Sequence, residues 1–143
     1  MYSIGQVSAK VGIKIPTLRY YEERGLVPAL TRTEGQQRRY SDDDVARLKF
    51  IRHARQLGFS LAAIDGLFAL NENKQGACVE VHEVALTHLS TVQDKIMLLR
   101  DLEKELQRII DGCEAGHIDE CYVITSLANH ELCEVDHAEV SAI

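Results

Sequence analysis

Pro16-Thr17-Leu18-Arg19-Tyr20-Tyr21-Glu22-Glu23-Arg24-Gly25 is the stretch on which the fold turns. Proline suits the first turn of a helix, because the amide it lacks would have no partner there, and glycine suits the position just past the end. The run therefore reads as one short helix closed at Gly25. Just before it, Ile4, Val7, Ser8 and Val11 recur at helical spacing. Ser3 can cap that earlier helix by accepting a backbone N–H, and Gly12 is its stop. Two short helices around a tight turn make a helix-turn-helix.

Working outward, Leu26 to Tyr40 has no helical period, and Pro28, Gly35 and the polar run Thr31-Arg32-Thr33-Glu34 give it the character of a β-ribbon or wing turning at Gly35. Ser41 caps the next helix, with Asp42, Asp43 and Asp44 at the positive end of its dipole. Val45, Leu48, Ile51 and Ala54 carry that helix to Gly58, and Ser60 opens another through Ile64, Leu67 and Phe68. Beyond a polar link, Val81, Val84, Ala85, His88, Leu89, Val92, Ile96, Leu99, Leu102, Leu106, Ile109 and Ile110 repeat at three and four residues, with no Gly or Pro before Gly112. This predicts a helix about 45 Å long. Its stripe is too long to be buried on a small amino-terminal domain, so it reads as one strand of a coiled coil with a second copy of the chain. After Gly116 the tail is short and mixed, with a helical turn expected around Tyr122 to Leu127.

The expected fold is therefore mainly α: a winged helix-turn-helix over residues 1–70, a linker over 71–79, a long antiparallel coiled-coil dimerisation helix over 80–112, and a loop with a tail over 113–143. At 143 residues the chain fits a small domain plus one extended helix and not a two-domain enzyme. No Ser/His/Asp order, phosphate-binding loop or catalytic carboxylate pair is evident, so no catalytic residues are expected. No stretch reaches the roughly 18 apolar residues of a membrane span, and the start lacks a signal peptide's basic and apolar regions. A cytoplasmic protein without membrane contact is the expectation, and there four cysteines are thiols or metal ligands rather than a disulfide framework.

The net charge of −6 hides a division along the chain. Residues 1–60 hold 11 Lys and Arg against 6 Asp and Glu, whereas the remainder hold 5 against 16. A basic amino-terminal half beside an acidic remainder points to double-stranded DNA as a partner for the first half only. The second helix of a helix-turn-helix enters the major groove, which makes Thr17, Arg19, Tyr20, Tyr21 and Arg24 candidate contacts. Arg19 can pair with guanine or clamp a phosphate, and either tyrosine can be a contact or a core residue. In the wing, Arg38, Arg39 and Tyr40 form a cationic patch suited to the phosphate backbone, or else a solvated charge run.

Ile4-Gly5, the motif Thr17 to Glu22 with Gly25-Leu26, then Gly35, Arg38 and Tyr40, and finally Arg55-Gln56-Leu57-Gly58-Phe59-Ser60-Leu61 together resemble the MerR family of transcription activators. The resemblance is dense over about the first 70 residues, and the long helix agrees in position. It departs at Gln37, where many members carry an aromatic residue. The resemblance implies a homodimer bound to a promoter whose spacer is too long. The effector-bound dimer distorts the DNA until RNA polymerase can use both elements, so the polymerase is reached indirectly and DNA deformability contributes to specificity.

Four cysteines, Cys78, Cys113, Cys121 and Cys133, all fall in the acidic half. Cys113 and Cys121 bracket a loop that also holds His117, and two thiolates with an imidazole can share one ion; His117 can equally be a solvated loop residue. Cys78 lies 35 residues before Cys113, about 50 Å away along a continuous helix. Within one chain the two cannot meet. In an antiparallel pair of helices, Cys78 of one subunit comes to Cys113 and Cys121 of the other. The three-cysteine pattern is similar to the branch of the MerR family that senses divalent ions, with zinc or cadmium favoured by His117 and lead or mercury behind them. The paired-cysteine loop alone also fits the Cu(I)-sensing branch, which typically lacks the cysteine before the helix. A thiol redox sensor is the other alternative, disfavoured by Glu114, Asp119 and Glu120, whose charge should raise the thiol pKa values. His130, Cys133 and His137 in the tail can hold a secondary ion or belong to a disordered acidic end.

Overall fold

In the computed structural model, which describes residues 1–28, 31, 32, 34, 35, 37–73, 76, 78–113 and 121–129 (backbone only for 31 and 32), the chain opens with two short helices, α1 (Ile4–Val11) and α2 (Ile15–Glu23). Ser3 and Gln6 form a reciprocal capping box on α1, which satisfies two amide donors that would otherwise lack partners. Gly12 ends α1 at φ 68, a left-handed conformation that costs a side-chain-bearing residue energy. A Cβ there would also stand 2.5 Å from Arg52 Nη1 and would displace the end of that long side chain. That guanidinium donates to Val11 O at 2.8 Å and so caps α1 from a distant part of the chain. Ser8 Oγ donates to Ile13 O at 2.7 Å and ties down the turn.

The wing is an antiparallel pair, β1 (Thr31–Arg32) and β2 (Arg38–Arg39), with Thr31 opposite Arg39 and Arg32 opposite Arg38. Tyr40 forms an antiparallel bridge with Tyr2, which ties the base of the wing to the start of the chain. Ser41 and Asp44 form the second capping box, at the start of α3 (Asp42–Gln56), and Ser60 caps α4 (Leu61–Glu72). Each cap contributes about 1 kcal/mol.

One core joins these elements. Val7 and Val11 of α1, Leu18 of α2, Leu48 and Ile51 of α3 and Ile64 of α4 are essentially without solvent exposure, and each contributes about 1.5–3 kcal/mol on burial. Arg47 of α3 extends the packing sideways. Its Nε donates to Leu26 O at 2.6 Å, and its guanidinium lies 3.7 Å from the centre of the Phe68 ring on α4.

The chain divides into two compact units, Met1–Val84 and Ala85–Ile143. The long helix α5 (Val79–Asp111) runs through 33 residues, about 50 Å, within one residue of the expected bounds at either end. Ile109 is its one buried apolar residue, while Leu89, Ile96, Leu99, Leu106 and Ile110 are exposed in the single chain. In the second unit a short helix, α6 (Tyr122–Ala128), follows Cys121, where a helical turn was expected. Among the described residues no helix is long and apolar enough to cross a membrane.

Candidate nucleic-acid interface and candidate thiolate centre

The first unit presents α2 with Arg19, Tyr20 and Arg24 exposed and Thr17 half-buried. Arg24 Nη1 donates to the Tyr20 hydroxyl at 3.2 Å, and its guanidinium sits 5.7 Å from the centre of that ring. The pair makes one cationic, aromatic feature at the end of the helix. Arg38 and Arg39, both half-buried, lie on β2.

Two residues expected at the interface point inward instead. Tyr21 is 8% exposed and Tyr40 is fully buried. The Tyr40 hydroxyl donates to a Glu22 carboxylate oxygen, and Arg38 Nε pairs with the other at 3.0 Å. Burial first, and then the carboxylate beside it, hold the Tyr40 hydroxyl well above the usual tyrosine range. Tyr40 thus belongs to the core, for a tertiary reason. The Tyr2 bridge turns its ring inward, and Glu22 on α2 supplies the acceptor a buried hydroxyl needs. Glu22 is the residue that sequence reasoning missed, since nothing in α2 distinguishes it from the neighbouring Glu23.

In the second unit the loop cysteines come together. Cys113 Sγ and Cys121 Sγ are 3.9 Å apart. With zinc–sulfur bonds of about 2.3 Å, two thiolates stand roughly 3.8 Å apart on a tetrahedral ion and about 4.6 Å apart on a linear one. The dithiol therefore fits a tetrahedral or trigonal ion without rearrangement and is too narrow for linear coordination. Backbone N–H groups of Ile124 and Val123, at the start of α6, lower the Cys121 pKa. Hydrogen bonding with Cys121, followed by burial, raises that of Cys113. Amides at a helix start favour the thiolate, whereas the acidic neighbours expected to raise the thiol pKa values lie outside the described residues.

Cys78 is exposed just before α5, and Cys78, Cys113 and Cys121 are all free thiols. Among the described residues no group of three or more His, Cys, Asp or Glu side chains is gathered to hold an ion. The dithiol of one chain is two donors and needs more from elsewhere. His117, His130, Cys133 and His137, with Glu114, Asp119 and Glu120, lie outside the described residues.

Sequence reasoning also missed the hydrogen bonds that join α5 to α6. Arg108 Nη2 and Nε donate to Glu105 at 2.6 and 3.3 Å, and Nη1 donates to the Tyr122 hydroxyl at 2.8 Å. These bonds, Glu105 first, raise the Arg108 pKa further. A Glu and an Arg three apart on a helix were the available signal.

Residues 2–70 match the family described as "MerR HTH family regulatory protein", and residues 45–109 match one described as "MerR, DNA binding". Over 127 residues the chain is 35% identical to "Heavy metal-dependent transcription regulator 2" of Rhizobium meliloti (strain 1021), covering 89% of this chain and 86% of that one. It is 39% identical over 114 residues to "HTH-type transcriptional regulator ZntR" of Escherichia coli (strain K12), covering 79% and 81%. Among solved structures, PbrR691 from Ralstonia metallidurans CH34 in complex with lead(II) is similar, with a TM-score of 0.79 and 35% identity over 89% of this chain and 99% of that one.

Proposed function

The chain belongs to the MerR family of helix-turn-helix regulatory proteins, and on that premise we propose that it is a metal-dependent transcription regulator. It binds promoter DNA as a homodimer and activates by distorting that DNA when a divalent soft or borderline ion binds at Cys113 and Cys121. The observation that carries the metal reading is the 3.9 Å separation of the two thiol sulfurs. It suits an ion held by three or four donors and disfavours a linear Cu(I) site, and the order of zinc or cadmium ahead of lead or mercury rests on His117 as a further donor. The relatives named for heavy metals and the similar protein bound to lead(II) support an ion of this class.

On the DNA side, Thr17, Arg19, Tyr20 and Arg24 are the contacts from α2, with Arg38 and Arg39 from the wing. Arginine supplies both the phosphate clamp and the bidentate guanine contact, and the exposed Tyr20 hydroxyl suits a phosphate oxygen. Two copies pair through the exposed stripe of α5 in antiparallel fashion. Each ion then lies between subunits, with Cys78 from one chain and Cys113 and Cys121 from the other, and with His117 as a candidate fourth donor. His130, Cys133 and His137 are candidates for a secondary ion. RNA polymerase is recruited to productive use of the promoter through the reshaped DNA. The place of work is the cytoplasm, where thiols stay reduced.

Titration of the reduced dimer with Zn(II), Cd(II), Pb(II), Hg(II) and Cu(I), read by proton release and by transcription from its promoter, tests the proposal. Divalent ions should displace thiol protons and activate, and Cys78→Ser should weaken both effects. A Cys78→Ser dimer that senses divalent ions like the parent removes the cross-subunit site. The lowered pKa of Cys121 next to Cys113 favours one second reading, a redox switch closing a disulfide between them. Activation by an oxidant in the presence of a chelator, with no response to metal, selects that reading instead.

A further inference from the structure

The dithiol is only as well defined as the backbone on either side of it. Cys113 follows Gly112 at the end of α5, and Cys121 precedes Tyr122 at the start of α6. The Tyr122 ring rests against Gly112. A Cβ at that position would stand 2.7 and 2.8 Å from ring atoms Cδ1 and Cε1, so glycine is the residue that admits the ring so closely. The far end of the ring is held too, since the Tyr122 hydroxyl accepts from Arg108 Nη1 at 2.8 Å. Arg108 in turn is oriented by its two bonds to Glu105, which is only 6% exposed. Glu105 and Arg108 are neighbours on one face of α5, so the guanidinium is aimed by a rigid helix rather than by the loop.

We infer that Glu105, Arg108, Tyr122 and Gly112 form a latch that sets the separation of Cys113 and Cys121 and thereby the affinity of the dithiol for its ion. The inference rests on the reading of those thiols as the ion site, and the four are positioning residues. The residue before one thiol is pressed against the residue after the other, so the two ends of the loop are fixed together whatever lies between them. Without the latch, the thiols are the ends of a free loop. The loss of that freedom then opposes ion binding instead of being met during folding. Lysine cannot replace Arg108, because the role needs a planar fork holding a carboxylate and a phenol at once.

The full-length reduced dimer tests this through Tyr122→Phe, which removes one oxygen and keeps the ring, together with Arg108→Lys, Gly112→Ala and Cys113→Ser. Two quantities are measured: Cd(II) affinity in competition with a chelator, and, without metal, the rate at which oxidised glutathione drives the Cys113–Cys121 disulfide. Each latch variant should bind Cd(II) roughly 10- to 100-fold more weakly and close the disulfide more slowly, with unchanged affinity for promoter DNA in the absence of metal. Latch variants that match the parent in both measurements, while Cys113→Ser has lost Cd(II) binding, overturn the latch and leave the ion site standing. If Cys113→Ser binds Cd(II) like the parent, the ion site itself is wrong, and the disulfide rates alone decide the latch.

Discussion

Glu22 receives the Tyr40 hydroxyl on one carboxylate oxygen and Arg38 on the other, which makes the acid on α2 the anchor of the wing. A tyrosine beside two arginines reads as a DNA contact in sequence, because a two-residue strand is too short for its alternation to reveal which face is buried. The structure makes Tyr40 a buried hydrogen-bond donor, with a consequence at high pH. Its folded pKa lies above the ordinary value of 10.0, so the folded protein keeps a proton that the unfolded chain releases above about pH 10. The stability this contributes is fully present below pH 10 and declines as pH rises beyond it. Tyr40→Phe should cost about 1–2 kcal/mol at neutral pH and flatten that alkaline decline, as urea denaturation across pH 7 to 11 would measure. An unaltered alkaline slope in the variant would mean that Tyr40 is not its source.

At the scale of elements, the helix starts were legible because their causes are local. Ser3, Ser41 and Ser60 each accept a backbone N–H from three residues on, and such a cap is written in a few consecutive residues. The end of α1 is half legible. Gly12 announces the stop, but the Arg52 guanidinium that completes it comes from 40 residues further along the chain. The α5 stripe was legible as a period, and Ile96 and Leu99 remain exposed in the single chain. An Ile96→Glu/Leu99→Glu variant should weaken self-association by at least about 3 kcal/mol per dimer, since each change counts twice, with the helices of the first unit intact by circular dichroism. Sedimentation equilibrium decides this, and a dimer of unchanged affinity would move the interface off that part of α5.

For the whole molecule, the opposed charges of the two halves govern association with DNA. Each phosphate contact should contribute about −0.9 to the slope of log affinity against log salt. Arg19→Ala and Arg38→Ala should each reduce that slope by about 2 if they meet phosphates, since each change occurs twice in the dimer; if Arg19 reads guanine, its variant instead relaxes specificity. Binding isotherms between 50 and 200 mM salt separate the cases. Unchanged affinity and slope in Arg19→Ala would take α2 off the DNA.

The sequence by itself determined the order of elements, the winged helix-turn-helix, the long helix and the cysteines that bracket the loop after it, because caps, stops and periodicity act over a few neighbouring residues. Only the tertiary structure decided that Tyr21 and Tyr40 turn inward, that Cys113 and Cys121 stand at a chelating distance, and that Arg108 reaches Tyr122. Those outcomes join residues that are far apart in the chain or separated by a loop. Which partner a polar group finds when water is removed depends on the packing of both, and no local pattern records it.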